Sequence, residues 1–189
     1  MPDQTYGGAV TDGTVVWSRL PDSEHFRVWD EFAALASFSI VHPDRWPRIL
    51  EPSPSVTWDL ARERPSRTDR SWDCAVEPDD VDVLFHEAFK TCVDRDEWLY
   101  VLDWRHPGYR FWPHRLTEPE NQASWVVPVF PDGDYYLFLS QDLSFWTFGH
   151  PWEASLCVYG DRLLDAVETK NSGTLSKVLR RNGRVPREA

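Results

Sequence analysis

Two short strings concentrate the side chains able to do chemistry: Asp103-Trp104-Arg105-His106-Pro107-Gly108-Tyr109-Arg110-Phe111-Trp112-Pro113-His114 and Phe148-Gly149-His150-Pro151-Trp152-Glu153. Each combines imidazole, carboxylate and aromatic groups. An imidazole titrates near neutrality, and a neighbouring carboxylate orients it and stabilises its cation, so such a pair can move a proton to or from a bound molecule. His150 with Asp103 or Glu153 is the expected acid-base pair, and His106 is the second imidazole of the set. The proline after each histidine biases that histidine to extended backbone. Both strings fall where strands are expected to end, and turns there can aim side chains at a ligand while the sheet holds the backbone. Trp104, Tyr109, Arg110, Trp112, His114, Trp146 and Trp152 are expected to line the resulting pocket. The alternative is that the rings fill the core and the two histidines bond neighbouring carbonyls, as buried polar groups generally do.

Other chemistries have weaker warrants. His106, His114, His150 and Glu153 are of metal-ligating type, but their spacing is irregular, no H-E-x-x-H occurs, and Pro151 interrupts any helix that would align His150 with Glu153. Neither a metal nor a cofactor is expected. Arg105, Arg110 and Arg115 are close enough in sequence to bind a carboxylate or phosphate, with salt bridges as the competing use in so acidic a chain. Cys92 lies on the apolar stripe of a helix and Cys157 alternates with Leu156 and Val158, so both read as small core residues, leaving Cys74 as the exposed thiol. The chain contains no G-x-S-x-G, G-x-x-x-x-G-K-[ST] or G-x-G-x-x-G string, which removes the usual grounds for a serine hydrolase, a P-loop or a dinucleotide fold.

The elements that must position these residues follow from hydrophobic period. Asp22 or Ser23 can cap a helix carrying Val28, Trp29, Phe32, Leu35 and Ala36 to about Phe38. Four prolines make residues 42–54 an ordered connection, followed by a strand at 55–60 and an exposed loop at 61–73. Pro78, Asp79 and Asp80 suit the start of a second helix, in which Val81, Leu84, Phe85, Ala88, Phe89 and Cys92 form one stripe. The period then becomes two. Strands are expected at 97–104, 108–112, 124–130, 135–139, 144–149 and 154–159, joined by short breaks such as Pro131-Asp132-Gly133-Asp134. Asp161 opens a third helix with Leu163, Leu164 and Val167, and a short final turn holds Leu175, Val178 and Leu179. Segregated helices and strands predict an α+β fold, an antiparallel meander of five or six strands packed with two or three helices. Residues 1–20 are expected to be a leader, 21–181 one domain, and 182–189 a basic tail.

Composition narrows the partners. The 189 residues carry a formal charge of -11, which argues against nucleic acid and anionic membrane. The last twenty residues carry six Lys or Arg against one Glu, a local excess whose simplest use is to relieve self-repulsion. Three irregularly spaced cysteines make no disulfide framework, and no basic-then-apolar leader or run of about 18 apolar residues is present, so a cytoplasmic location is expected.

The strings EPSPSVTWD (Glu51 to Asp59), DWRHPGYRFWPH (Asp103 to His114), VPVFPDGDYY (Val127 to Tyr136) and FGHPWEASLCVYG (Phe148 to Gly160) resemble a family of bacterial proteins grouped as domain of unknown function 2716. The resemblance covers about residues 26–181. It implies no activity, and no catalytic residue carries over from it. Trp146 stands where the family has a small residue, and Arg105 or Arg110 where it has a neutral one, which leaves room for a pocket specialised in this protein. Two functions are therefore carried forward. One is binding of a small polar organic molecule in an aromatic pocket rimmed by His106, His150, Asp103 and Glu153, with acid-base catalysis as its extension. The other is a non-enzymatic interaction protein, such as an antitoxin-like immunity protein whose negative surface covers a basic partner.

Overall fold

Among the described residues, three helices and ten strands realise the change of period along the chain. The computed structural model describes residues 10, 11, 14–39, 48–61 and 76–186. The strands are β1 (Val10–Thr11), β2 (Thr14–Val15), β3 (Trp17–Arg19), β4 (Ser55–Asp59), β5 (Leu99–Asp103), β6 (Tyr109–Phe111), β7 (Tyr136–Leu139), β8 (Trp146–His150), β9 (Ser155–Tyr159) and β10 (Lys177–Arg181). The helices are α1 (Asp22–Ala36), α2 (Pro78–Cys92) and α3 (Asp161–Lys170). β1 and β2 pair with each other, and the remaining strands form one sheet of eight in the order β10-β4-β9-β8-β7-β5-β6-β3, every neighbouring pair antiparallel.

Strand alternation sorts the apolar residues onto two faces, both of them covered. Leu99, Val101, Phe138, Leu156, Val158, Val56 and Trp58 meet the stripes of α2 and α3 on one face. Tyr100, Leu102, Leu137, Leu139, Trp146, Phe148 and Cys157 lie on the other, with Val28, Phe32 and Ala36 of α1. Coverage on both sides explains strands whose sequence is apolar at nearly every position. Phe32 seats α1 on the sheet, edge-on to Trp146 at 5.3 Å and stacked on Phe148 at 6.3 Å between centroids.

The helix termini follow local rules with one exception. α2 starts with Pro78 in its first turn, with Asp79 and Asp80 at the positive end of its dipole and Lys90 at the negative end. α1 starts at Asp22, but the expected side-chain cap is not made; the carbonyl of Pro21 takes the N–H groups of Glu24 and His25 at 3.0 and 2.9 Å instead. α3 follows Gly160 at φ 96°, where a Cβ would stand 2.5 Å from the Ser144 carbonyl oxygen, so glycine is required.

The sheet is larger than the expected five or six strands. Trp17–Arg19, within the segment expected to be a leader, pairs with β6; buried Trp17 stacks on Phe111 at 4.3 Å and its indole N–H donates to the Ser124 carbonyl at 3.0 Å. Lys177–Arg181, expected as a turn, pairs with β4. Its cations are used within the fold: Lys177 meets Asp59 at 2.7 Å and Arg181 meets Glu168 at 3.7 Å. The strand expected at 124–130 does not form. Gln122–Ser124 make a 3-10 turn, and the N–H groups of Val129 and Phe130 point at the buried Asp82 carboxylate, at 2.7 and 3.1 Å, so they are withdrawn from any ladder. Residues 62–73 of the expected loop, and Cys74, lie outside the described residues. Among the described residues no helix is long and apolar enough to cross a membrane.

Candidate functional site

A cleft of about 600 Å³ opens on the α1 face, beyond the part of the sheet that α1 covers. Its floor comes from three adjacent strands: Thr57 of β4, Ser155 and Cys157 of β9, and Phe148 and His150 of β8. These residues share one face because the register sets Thr57 opposite Cys157 and Cys157 opposite Phe148. The walls are residues 48–51, Glu153, Arg180 and Gly183.

Arg180 organises the charge in the cleft. Its Nε donates to Glu51 Oε1 at 2.7 Å, and its two terminal nitrogens donate to the oxygens of Glu153 at 2.9 and 2.6 Å. Ser155 Oγ donates to Glu153 Oε2 at 2.5 Å. The β-bulge between Val178 and Arg180 belongs to this arrangement, since it re-registers the strand so that Arg180 stands opposite Thr57 of the floor. Burial pushes the Glu153 carboxyl up, but the bonds from Arg180 and Ser155 outweigh it and hold it below the ordinary range. The same bonds, led by those to Glu153, keep the guanidinium charged. Desolvation, with the Glu51 charge behind it, pushes the Cys157 thiol up, so it is no nucleophile. His150 Nδ1 accepts the Glu153 backbone N–H at 3.0 Å, which leaves Nε2 to carry the proton of the neutral ring. Its ring stands edge-on to buried Tyr135 at 4.9 Å.

Asp103 and His106 belong to a different group. His106 Nδ1 lies 2.9 Å from Asp103 Oδ1 and 3.4 Å from Asp134 Oδ2. Metal-ligating atoms of Asp103, His106 and Asp134 all lie within 4.8 Å of one another, so these three could hold one ion; as it stands, the imidazole bridges the two carboxylates. By strand alternation Asp103 falls on the side of Leu99 and Val101, whereas His150 shares the side of Trp146 and Phe148. The imidazole that Asp103 orients is therefore His106. Burial pushes the Asp103 carboxyl up against the pull of His106, while the Asp103 bond raises His106 above its ordinary value. Its bond favours the folded state below the unfolded histidine pKa, and that gain is lost as pH rises through the folded value. With His106 more than half exposed, the gain is at most about 1 kcal/mol. Asp103→Asn is expected to lower the His106 pKa in an NMR titration and leave that of His150 in place; an unmoved His106 would remove the pairing.

The other residues expected to line a pocket are dispersed. Trp104 holds Arg105 over its ring at 4.2 Å and stands edge-on to Tyr135. Half-buried Tyr109 packs edge-on to Trp17, and Arg110 pairs with Glu24 while lying over Trp98 at 5.1 Å. Trp112 carries Arg115 at 4.8 Å, and His114 Nε2 is 2.9 Å from the Val93 carbonyl. Trp146 has no exposed surface and stacks on Tyr159 at 4.9 Å, so it is a core residue of the α1 face. Trp152 is 43% exposed. Of the expected site, His150 and Glu153 line the cleft. Sequence reasoning missed Glu51 and Arg180 as site residues: the first opens the EPSPSVTWD string within a proline-rich connection and the second lies within a basic end, and no chemical motif marks either.

The fold and site define an α+β protein with an eight-stranded antiparallel sheet, helices on both faces, and a charged cleft on the side of α1. The chain belongs to the bacterial family described as Protein of unknown function (DUF2716), whose model matches residues 19–164. It is 31% identical over 152 residues to the uncharacterized protein YxiI of Bacillus subtilis (strain 168), a match covering 80% of this chain and 92% of that one. No solved structure matches the chain.

Proposed function

We propose that this protein binds a small polar organic molecule in the cleft between residues 48–51 and strands β8, β9 and β4, with His150 and Glu153 as groups able to exchange a proton with it. One observation carries this reading: Glu51, Glu153, Arg180 and His150, drawn from four segments, converge in one cleft whose volume of about 600 Å³ suits a small ligand. Apolar Phe148 and Ile49 beside them supply the mixed lining such sites use. Action in the cytoplasm is part of the proposal, consistent with Cys92 and Cys157 being buried free thiols. A thermal-shift screen of polar metabolites, followed by NMR mapping, tests it. A ligand that moves the His150 and Thr57 resonances, and whose binding weakens at least about tenfold in His150→Ala with the melting temperature preserved, supports the reading. Ligands that map elsewhere, or none at all, end it.

A second reading has charge in its favour. The chain carries a net charge of -11, and Lys177, Arg180 and Arg181 of its basic strand are each paired with a carboxylate. Such a surface suits a non-enzymatic interaction protein that covers a basic partner, as an immunity protein does. A one-to-one complex whose affinity falls steeply with salt, unaffected by substitution in the cleft, would favour it.

A further inference from the structure

The cleft holds one deeply buried carboxylate, Glu51, beside the more exposed Glu153. Two carboxylates, Glu51 and Glu153, face one guanidinium, and all three Arg180 nitrogens already donate to them. An anionic ligand would have to compete with those carboxylates for Arg180. Arg48 also lines the cleft, and it and Glu153 are both exposed, so water screens the two charges alike. Acceptors are in surplus instead. Glu51 is 93% buried as a side chain, its Oε1 takes one bond from Arg180, and its Oε2 has no hydrogen-bond partner among the described residues. A buried carboxylate oxygen without a donor is costly, and a donor brought by a ligand recovers that cost. Oε2 is itself covered, but the last torsion of a glutamate is soft, so a turn of the carboxylate can offer an oxygen to the cleft. Phe148 and Ile49 leave an apolar surface beside it for the body of the ligand.

We propose that the molecule taken by this cleft carries a protonated amine or amidine that Glu51 receives as a charge-assisted hydrogen-bond donor. The inference rests on the small-molecule reading above and adds the ligand class. Benzylamine, benzyl alcohol and benzoate share one body and differ in charge, so their binding to the full chain, followed by NMR at the Glu51, Thr57 and His150 amides, is the test. Benzylamine is expected to bind at the cleft at least about tenfold more tightly than either analogue, an advantage that Glu51→Gln removes. Glu51→Gln retains an acceptor for Arg180 Nε, and the comparison of the three probes on the wild-type protein needs no variant. Benzoate or benzyl alcohol binding there as well as benzylamine would overturn the amine proposal and leave the cleft a small-molecule site. No binding by benzylamine at these amides would also overturn it, and the metabolite screen then decides the broader reading separately.

Discussion

Asp82→Ala is expected to destabilise the protein by about 2–4 kcal/mol, and Asp82→Asn to stabilise it at neutral pH. Asp82 is fully buried in the first turns of α2, where its Oδ1 accepts the N–H groups of Val129 and Phe130 and its Oδ2 accepts from Gln122 at 3.1 Å. Alanine orphans two buried donors. Asparagine keeps an oxygen for them and can donate to a turned Gln122 amide, while carrying no charge to desolvate. Desolvation outweighs those bonds and pushes the Asp82 carboxyl up to about 6. A folded pKa above the unfolded value means the native state holds the proton more tightly. The contribution is therefore fully present below about pH 4 and is lost as pH rises through about 6, a fall of about 3 kcal/mol for this buried group. His86 on the same helix runs the other way, because burial lowers its pKa and the neutral ring is favoured as pH rises. Comparing urea melts of wild type and Asp82→Asn from pH 4 to 7 isolates Asp82. Parallel stability curves for the two would sink this account.

Removing the cleft's cation is the second large effect. Arg180→Leu leaves the Glu51 carboxylate 93% buried with no counter-charge, and the expected loss is about 2–4 kcal/mol, reduced from a fully buried pair because Arg180 is one-quarter exposed. Glu51→Leu together with Arg180→Leu is expected to restore most of that loss, since the cost lies in the stranded charge and not in the absence of the bond. The double variant should at the same time lose ligand binding. Glu153, held below its ordinary pKa, keeps its contribution above the unfolded glutamate value and gives it up as the solution is acidified through its folded pKa. Denaturation of the wild type and the two variants at pH 7 and pH 4 checks both statements. An Arg180→Leu protein within about 0.5 kcal/mol of wild type would show the triad to be energetically idle.

Local pattern by itself determined much of the architecture. Val81 to Cys92 repeat at helical spacing after a proline and two acids, and α2 forms there. Trp98 to Trp104 alternate, and β5 runs through them. These signals are readable because a helix or strand must present one periodic face to whatever covers it. The clustering of His150 with Glu153 near a strand end was legible for the same reason, since Pro151 forces a turn directly after β8. What covers a face, and what reaches a strand edge from afar, is not encoded by period. The pairing of β10 with β4 spans about 120 residues, and it alone carries Arg180 to Glu51 and Glu153. Asp82 sits on a helix and yet stands where the strand expected at 124–130 would need its donors, because the buried carboxylate takes the Val129 and Phe130 N–H groups. Asp103 and His150 end two strands of one sheet that β7 separates, and their placement on opposite faces follows from alternation measured across β5, β7 and β8, whose mutual register only the assembled sheet defines.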